Sequence, residues 1–125
     1  MAEAGTRLSI DQRVARAREA YRAMESGDPA HMQQFFAEDA VWHSSLRRQE
    51  FRGRDEIMRE VRRQQEDFKL KLKVHDVTAS DQHVVALLEM TREGQAPERL
   101  VHISHVDEQG KVKELWSIVE QPPTR

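Results

Sequence analysis

The apolar residues of this chain change their spacing at Asp67, and that change dictates two kinds of secondary structure in a set order. Before it, Ile10, Val14, Ala17, Tyr21 and Met24 recur at intervals of four and three, and Ile57, Met58 and Val61 with Gln65 repeat the pattern more narrowly. Such spacing gathers them on one face of an α-helix. After it, Phe68, Leu70, Leu72 and Val74 alternate with Lys69, Lys71 and Lys73, which predicts a strand with one dry and one wet face. Further strands are expected over 83–92, 100–106 and 112–119, divided by turn clusters at 78–81, 93–97 and 107–110.

Helix ends are marked as well. Ser9 with Gln12 three residues later has the form of a capping box. Ser26 and Gly27 close the first helix, and Asp28 followed by Pro29 opens a short second one whose buried face is Met32, Phe35 and Phe36. Ala40, Val41, Trp42 and His43 read as a strand, and 44–50 as a polar loop. Gly53 precedes a third helix with Asp55 and Glu56 in its first turn, where the helix dipole favours carboxylates. Two helices, a strand, a helix and an antiparallel meander make an α+β fold. Residues 9–120 form one domain in this scheme, with disordered tails at 1–8 and 121–125.

Leu, Ile, Val and Phe together number only 27 of 125 residues, close to the level at which chains of high net charge fail to fold. The net charge here is only −2, and the patterning favours a folded domain. That charge argues against a nucleic-acid binder, which needs a strongly basic face. No apolar run approaches the roughly 18 residues of a membrane span, and no secretory signal is visible. Without cysteine there is no disulfide or thiolate metal site, so a cytoplasmic protein with no membrane partner is expected. Seven arginines between Arg47 and Arg63, interleaved with acidic residues, read as a solvated, salt-bridged helix face. Arg13, Arg16, Arg18 and Arg22 are likewise placed on the outside of the first helix.

The last two strands are apolar on both faces. Leu100, Val106, Leu115 and Val119 lie on one side, and Val101, Ile103, Trp116 and Ile118 on the other. A sheet apolar on both faces needs cover on both. The helices cover one, so the other is expected to be the interface of a homodimer.

Several segments resemble the SnoaL-like branch of the nuclear transport factor 2-like superfamily. They are Met24-Glu25-Ser26-Gly27-Asp28, Phe36-Ala37-Glu38-Asp39-Ala40-Val41-Trp42-His43, Phe51-Arg52-Gly53-Arg54-Asp55-Glu56-Ile57 and Gly110-Lys111-Val112-Lys113-Glu114-Leu115-Trp116. The resemblance spans roughly residues 10–120. It implies a cone-shaped α+β barrel, with three helices packed against a curved, mainly antiparallel sheet that encloses a pocket. It also implies dimers formed through the outer sheet face. Relatives include ketosteroid isomerases, limonene epoxide hydrolases, scytalone dehydratases, polyketide cyclases and catalytically silent binding domains. The resemblance also shows departures. The isomerase-type base position, two residues past Trp42, is Ser44 here, and the second acidic position falls on His102. Tyr21 lies one residue from the oxyanion-donor tyrosine, and the cyclase-type aspartate is replaced by Ser117.

His102 shares a strand face with Leu100, Ser104 and Val106, the face the resemblance turns inward. An inward imidazole suits proton transfer near neutral pH, so His102 is the first catalytic candidate and His43, beside Trp42, the second. Strict alternation puts His43 on the opposite face from Trp42 and Ser44. Tyr21, Trp42, Ser44, Ser104, Leu115 and Ser117 are the expected pocket wall. His102 and His105 point to opposite faces and cannot share an ion, so no metal or other cofactor is expected. The leading expectation is a pocket for a small hydrophobic molecule. If catalytic, it would act as a cofactor-free isomerase, cyclase, dehydratase or epoxide hydrolase using histidine acid–base chemistry. The alternative is a non-catalytic ligand-binding or association domain of the same fold.

Overall fold

A computed structural model describes residues 7–45 and 48–120 of the chain. The elements run α1 (Ile10–Glu25), α2 (Pro29–Gln33), β1 (Phe36–Ser44), β2 (Gln49–Arg52), α3 (Arg54–Phe68), β3 (Lys71–Ala79), β4 (His83–Thr91), β5 (Glu98–Val106) and β6 (Val112–Val119). The six strands form one curved, unclosed sheet in the order β2-β1-β6-β5-β4-β3. Only the β1–β6 pair is parallel; every other neighbour is antiparallel. The helices pack on the inner face, α1 over β3 and α3 against β1, with α2 between the two helices. This is the expected cone-shaped α+β architecture.

The helix ends follow their local chemistry. Ser9 Oγ accepts from the Gln12 N–H at 3.1 Å while the Ser9 N–H donates to Gln12 Oε1 at 2.7 Å, closing the capping box. Gly27 takes a positive φ of 75° past the end of α1, and Asp28 Oδ1 accepts from the His31 N–H at the start of α2. The tails expected at 1–8 and 121–125 lie outside the described residues, except for Arg7 and Leu8. The Leu8 N–H donates to the Glu108 carbonyl at 3.1 Å.

Four local expectations are corrected. Lys69, not Phe68, is where helix gives way to strand: it sits in the left-handed conformation at φ 52°, and its N–H closes α3 on the Gln64 and Gln65 carbonyls. The alternation then holds through Leu70 and Leu72 until a bulge between Val74 and Asp76 shifts its phase, so that Val77 is the next buried residue. Such a bulge bends the strand. Phe36 belongs to β1 rather than to α2, and Ser44 is still in β1. The segment read as loop to Glu50 contains the start of β2, an edge strand with a single buried residue, Phe51. Leu46 and Arg47 of that loop lie outside the described residues.

The core joins Met24 and Tyr21 of α1, Ile57, Met58 and Val61 of α3, and inward residues of all six strands. Ile10, counted in the α1 stripe, is 48% exposed, whereas Arg13, placed on the outside, is 2% exposed. The inward line of α1 therefore begins one turn late, at Arg13, and continues through Ala17, Tyr21 and Met24. Glu60 is also buried. Its carboxylate takes two hydrogen bonds from Arg63, at 2.9 and 2.7 Å, and one from Gln64 at 2.8 Å, which replaces the lost hydration.

Leu88, at the middle of β4, is 2% exposed. Leu88→Ala is expected to cost about 2–5 kcal/mol through lost burial and the cavity it leaves. The shift of the urea unfolding midpoint, at unchanged slope, measures it.

Candidate functional site

Alternation along β5 and β6 turns Leu100, His102, Ser104 and Val106, and Leu115, Ser117 and Val119, toward the helices. Strand register then decides which of these side chains meet. His102 pairs with Ser117, and Ser117 pairs with Ser44, so three polar side chains form a row across β5, β6 and β1. The next row is Ser104, Leu115 and Trp42. A diagonal bond ties the rows together, Trp42 Nε1 donating to Ser117 Oγ at 2.8 Å. Because Ser117 accepts there, its own hydroxyl hydrogen is left for another acceptor.

Tyr21 reaches this row from α1. Its Oη lies 2.8 Å from His102 Nδ1, and both residues are buried. Burial lowers the His102 pKa to about 4, so the ring is neutral at pH 7. Burial also raises the Tyr21 phenol far above its usual range, so it keeps its proton. A neutral phenol is the better donor, and the bond runs from Tyr21 Oη–H to Nδ1. The single ring hydrogen of His102 is then on Nε2, which has no hydrogen-bond partner among the described residues.

His102 lines two neighbouring chambers; Met32, Phe36 and Leu115 line both as well. The first, of about 40 Å³, is walled by apolar residues with Trp42, Ser44, Ser117 and Gln64. The second, of about 60 Å³, lies beside α1 and is lined by Tyr21, Ser104, Arg13 and Arg16. A water occupies about 10–15 Å³ on such a measure, so each chamber admits a small group of atoms.

Most of the residues expected at the site converge: His102, Tyr21, Trp42, Ser44, Ser104, Leu115 and Ser117 all line one chamber or both. His43 does not join them. It lies on the outer face, where its Nε2 is 2.6 Å from Glu114 Oε2 and its Nδ1 is 3.2 Å from Glu50 Oε1. Its ring stacks on Trp116 at 5.5 Å. The two-residue period of β1 separates it from Trp42 and Ser44, and this removes His43 from any chemistry at His102. No group of three or more potential metal ligands occurs among the described residues.

Three chamber residues escaped the sequence reading. Gln64 was missed because Gln65, one position on, was assigned to the α3 stripe. Arg13 and Arg16 were placed outside on charge alone. The spacing held a signal for Arg13, which precedes Ala17 by four and Tyr21 by eight residues and so falls on their helix face.

Fold and site together define a class: small α+β cones whose helices and curved sheet enclose an apolar interior with a few polar side chains. The chain belongs to the SnoaL-like domain family, whose model matches residues 17–115. Among solved structures it is similar to a protein of unknown function with a cystatin-like fold from Methylobium petroleophilum. That match has 18% identity and a TM-score of 0.83, covering 94% of this chain and 82% of the other. It is also similar to a SnoaL-like protein of unknown function from Burkholderia thailandensis, with 13% identity, a TM-score of 0.79, and 92% and 99% coverage. A candidate ketosteroid isomerase from Kribbella flavida is similar at 21% identity, with a TM-score of 0.71 and coverage of 93% and 86%. These likenesses concern the fold. No curated protein matches the sequence.

The His102 pKa of about 4 lies below the unfolded value near 6.5. Between those pH values the unfolded chain binds the extra proton and the native one does not. Native stability therefore rises with pH through this window and is lost as pH falls, by about 3 kcal/mol in all from this one group. Urea unfolding at a series of pH values should give that slope, and His102→Gln should flatten it.

Proposed function

We propose that this chain is a small-molecule pocket protein that takes up a small, largely apolar molecule bearing a hydrogen-bond-accepting oxygen. The observation that carries this is the pair of neighbouring apolar chambers that share His102, with Nε2–H and the Ser117 hydroxyl as donors on neighbouring strands. Binding sites of this kind are mostly apolar, with a few placed polar groups that fix orientation. Tyr21 supports the arrangement by fixing the tautomer that makes Nε2 a donor.

A second reading, cofactor-free catalysis of the isomerase or cyclase kind, draws on the same bond. An imidazole whose pKa is about 4 is a weak base at neutral pH, and the acidic positions of the catalytic relatives are Ser44, His102 and Ser117 here. The role open to His102 is then polarisation of a ligand carbonyl through neutral Nε2–H, rather than the proton transfer expected from sequence. Native mass spectrometry of the purified protein is expected to find a retained small molecule that is absent from His102→Gln. Recovery of the wild-type protein free of any ligand, together with failure of small apolar carbonyl compounds to raise its Tm, would overturn the pocket function.

A second copy of the chain is the partner proposed for the outer sheet face. Leu87 and Ile118 are 46% and 47% exposed there, beside half-buried Val101, Ile103 and Trp116. Such a contiguous apolar surface favours association. Light scattering at micromolar concentration should give twice the chain mass, and Ile118→Lys should give the single-chain mass with the fold retained.

A further inference from the structure

Two cationic side chains in the second chamber have no anionic partner among the described residues. Arg13 is 2% exposed. Its Nε donates to the Leu8 carbonyl at 3.3 Å, whereas its Nη1 is buried with no hydrogen-bond partner among the described residues. Arg16 lays its guanidinium over the Phe35 ring, 5.1 Å from the centroid, and its Nε is likewise buried and unpartnered. A guanidinium cannot shed its charge by losing a proton at any ordinary pH, so this chamber holds the buried charge of Arg13 beside the half-buried charge of Arg16. Burial of that kind is unfavourable until an anion compensates it. The chamber wall contains no Asp or Glu among the described residues. It does contain Ser104, which is 6% exposed. Ala17 and Ala20, small residues of α1, leave room beside the two guanidinium groups.

We propose that the second chamber receives the carboxylate of a small, mainly apolar acid, held by Arg13 Nη1, Arg16 Nε and the Ser104 hydroxyl, with its apolar body passing His102 into the first chamber. This inference rests on the pocket function proposed for the same site and narrows the ligand to an organic monoanion. A carboxylate suits these three donors, since its two oxygens can accept charge-assisted bonds from both arginines and a further bond from the serine. A phosphate dianion would bring more acceptor oxygens than these donors satisfy and bury the remainder against apolar walls. The chamber, at about 60 Å³, suits a group of carboxylate size.

The test compares phenylacetate with its uncharged counterpart phenylacetamide by isothermal titration on the wild-type protein, Arg13→Met and Arg16→Met. Phenylacetate is expected to bind the wild type at least about tenfold more tightly than the amide, the scale of a charge-assisted bond. Each variant should abolish that preference, weakening phenylacetate binding far more than amide binding. Circular dichroism checks the fold. Removing an uncompensated buried charge is not expected to harm it, and Arg16→Met carries the test should Arg13→Met fail to fold. Equal affinity of the wild type for acid and amide, or a preference that survives substitution, overturns the carboxylate assignment and leaves the pocket function standing. Binding of neither compound at millimolar concentration overturns both.

Discussion

The hydrogen bond between Tyr21 and His102 is the point on which this interior is organised. It joins α1 to β5 across a space that apolar side chains do not fill. A buried hydrogen bond adds only about 0.5–1.5 kcal/mol net, but losing one partner costs about 1–3 kcal/mol because the other is stranded away from water. Each residue therefore makes the burial of the other tolerable. The bond also sets the proton on Nε2 and keeps the ring uncharged, so one contact fixes the position of helix over sheet and the polarity of the wall that the two chambers share.

Around that bond the fold departs from a solid core in a patterned way. The inner face carries Ser44, Ser117 and His102 in one row where a close-packed sheet would carry three aliphatic side chains. Ile57, Met58 and Leu88 are the most deeply buried of the large side chains. The inner wall leaves two small chambers, of about 40 and 60 Å³. Arg13 and Arg16 add charge to the rim of that space, which a well-packed apolar core would not tolerate without compensation.

The outer face of the sheet follows different rules. His43, Glu50 and Glu114 form a polar cluster next to Trp116, half in water, while Leu87 and Ile118 stand exposed further along the same surface. Histidines on opposite faces of one sheet thus have opposite surroundings: His43 lies between two carboxylates, and the His102 ring is governed by its burial. Their residue type is the same; the face of the strand separates their chemistry.

The amino-acid sequence by itself determined most of the elements and the facing of β5 and β6. Its switch of period, the Ser9–Gln12 capping box, the Asp28-Pro29 helix start and the alternation of β5 and β6 are local features. Local sterics and hydrogen bonding enforce them wherever the chain goes. Placing His102, Ser104, Leu115 and Ser117 on one inner face needed only the two-residue period. Tertiary structure alone decided what depends on partners distant in the chain. The bulge at Val74, the polar edge strand β2 and the end of α3 at Lys69 are set by pairing and closure that no single window of sequence contains. The contact of Tyr21 with His102 spans 81 positions. The burial of Arg13 and Glu60 ran against their composition, because a charged side chain is placed inward by its helix face and kept there by what surrounds it.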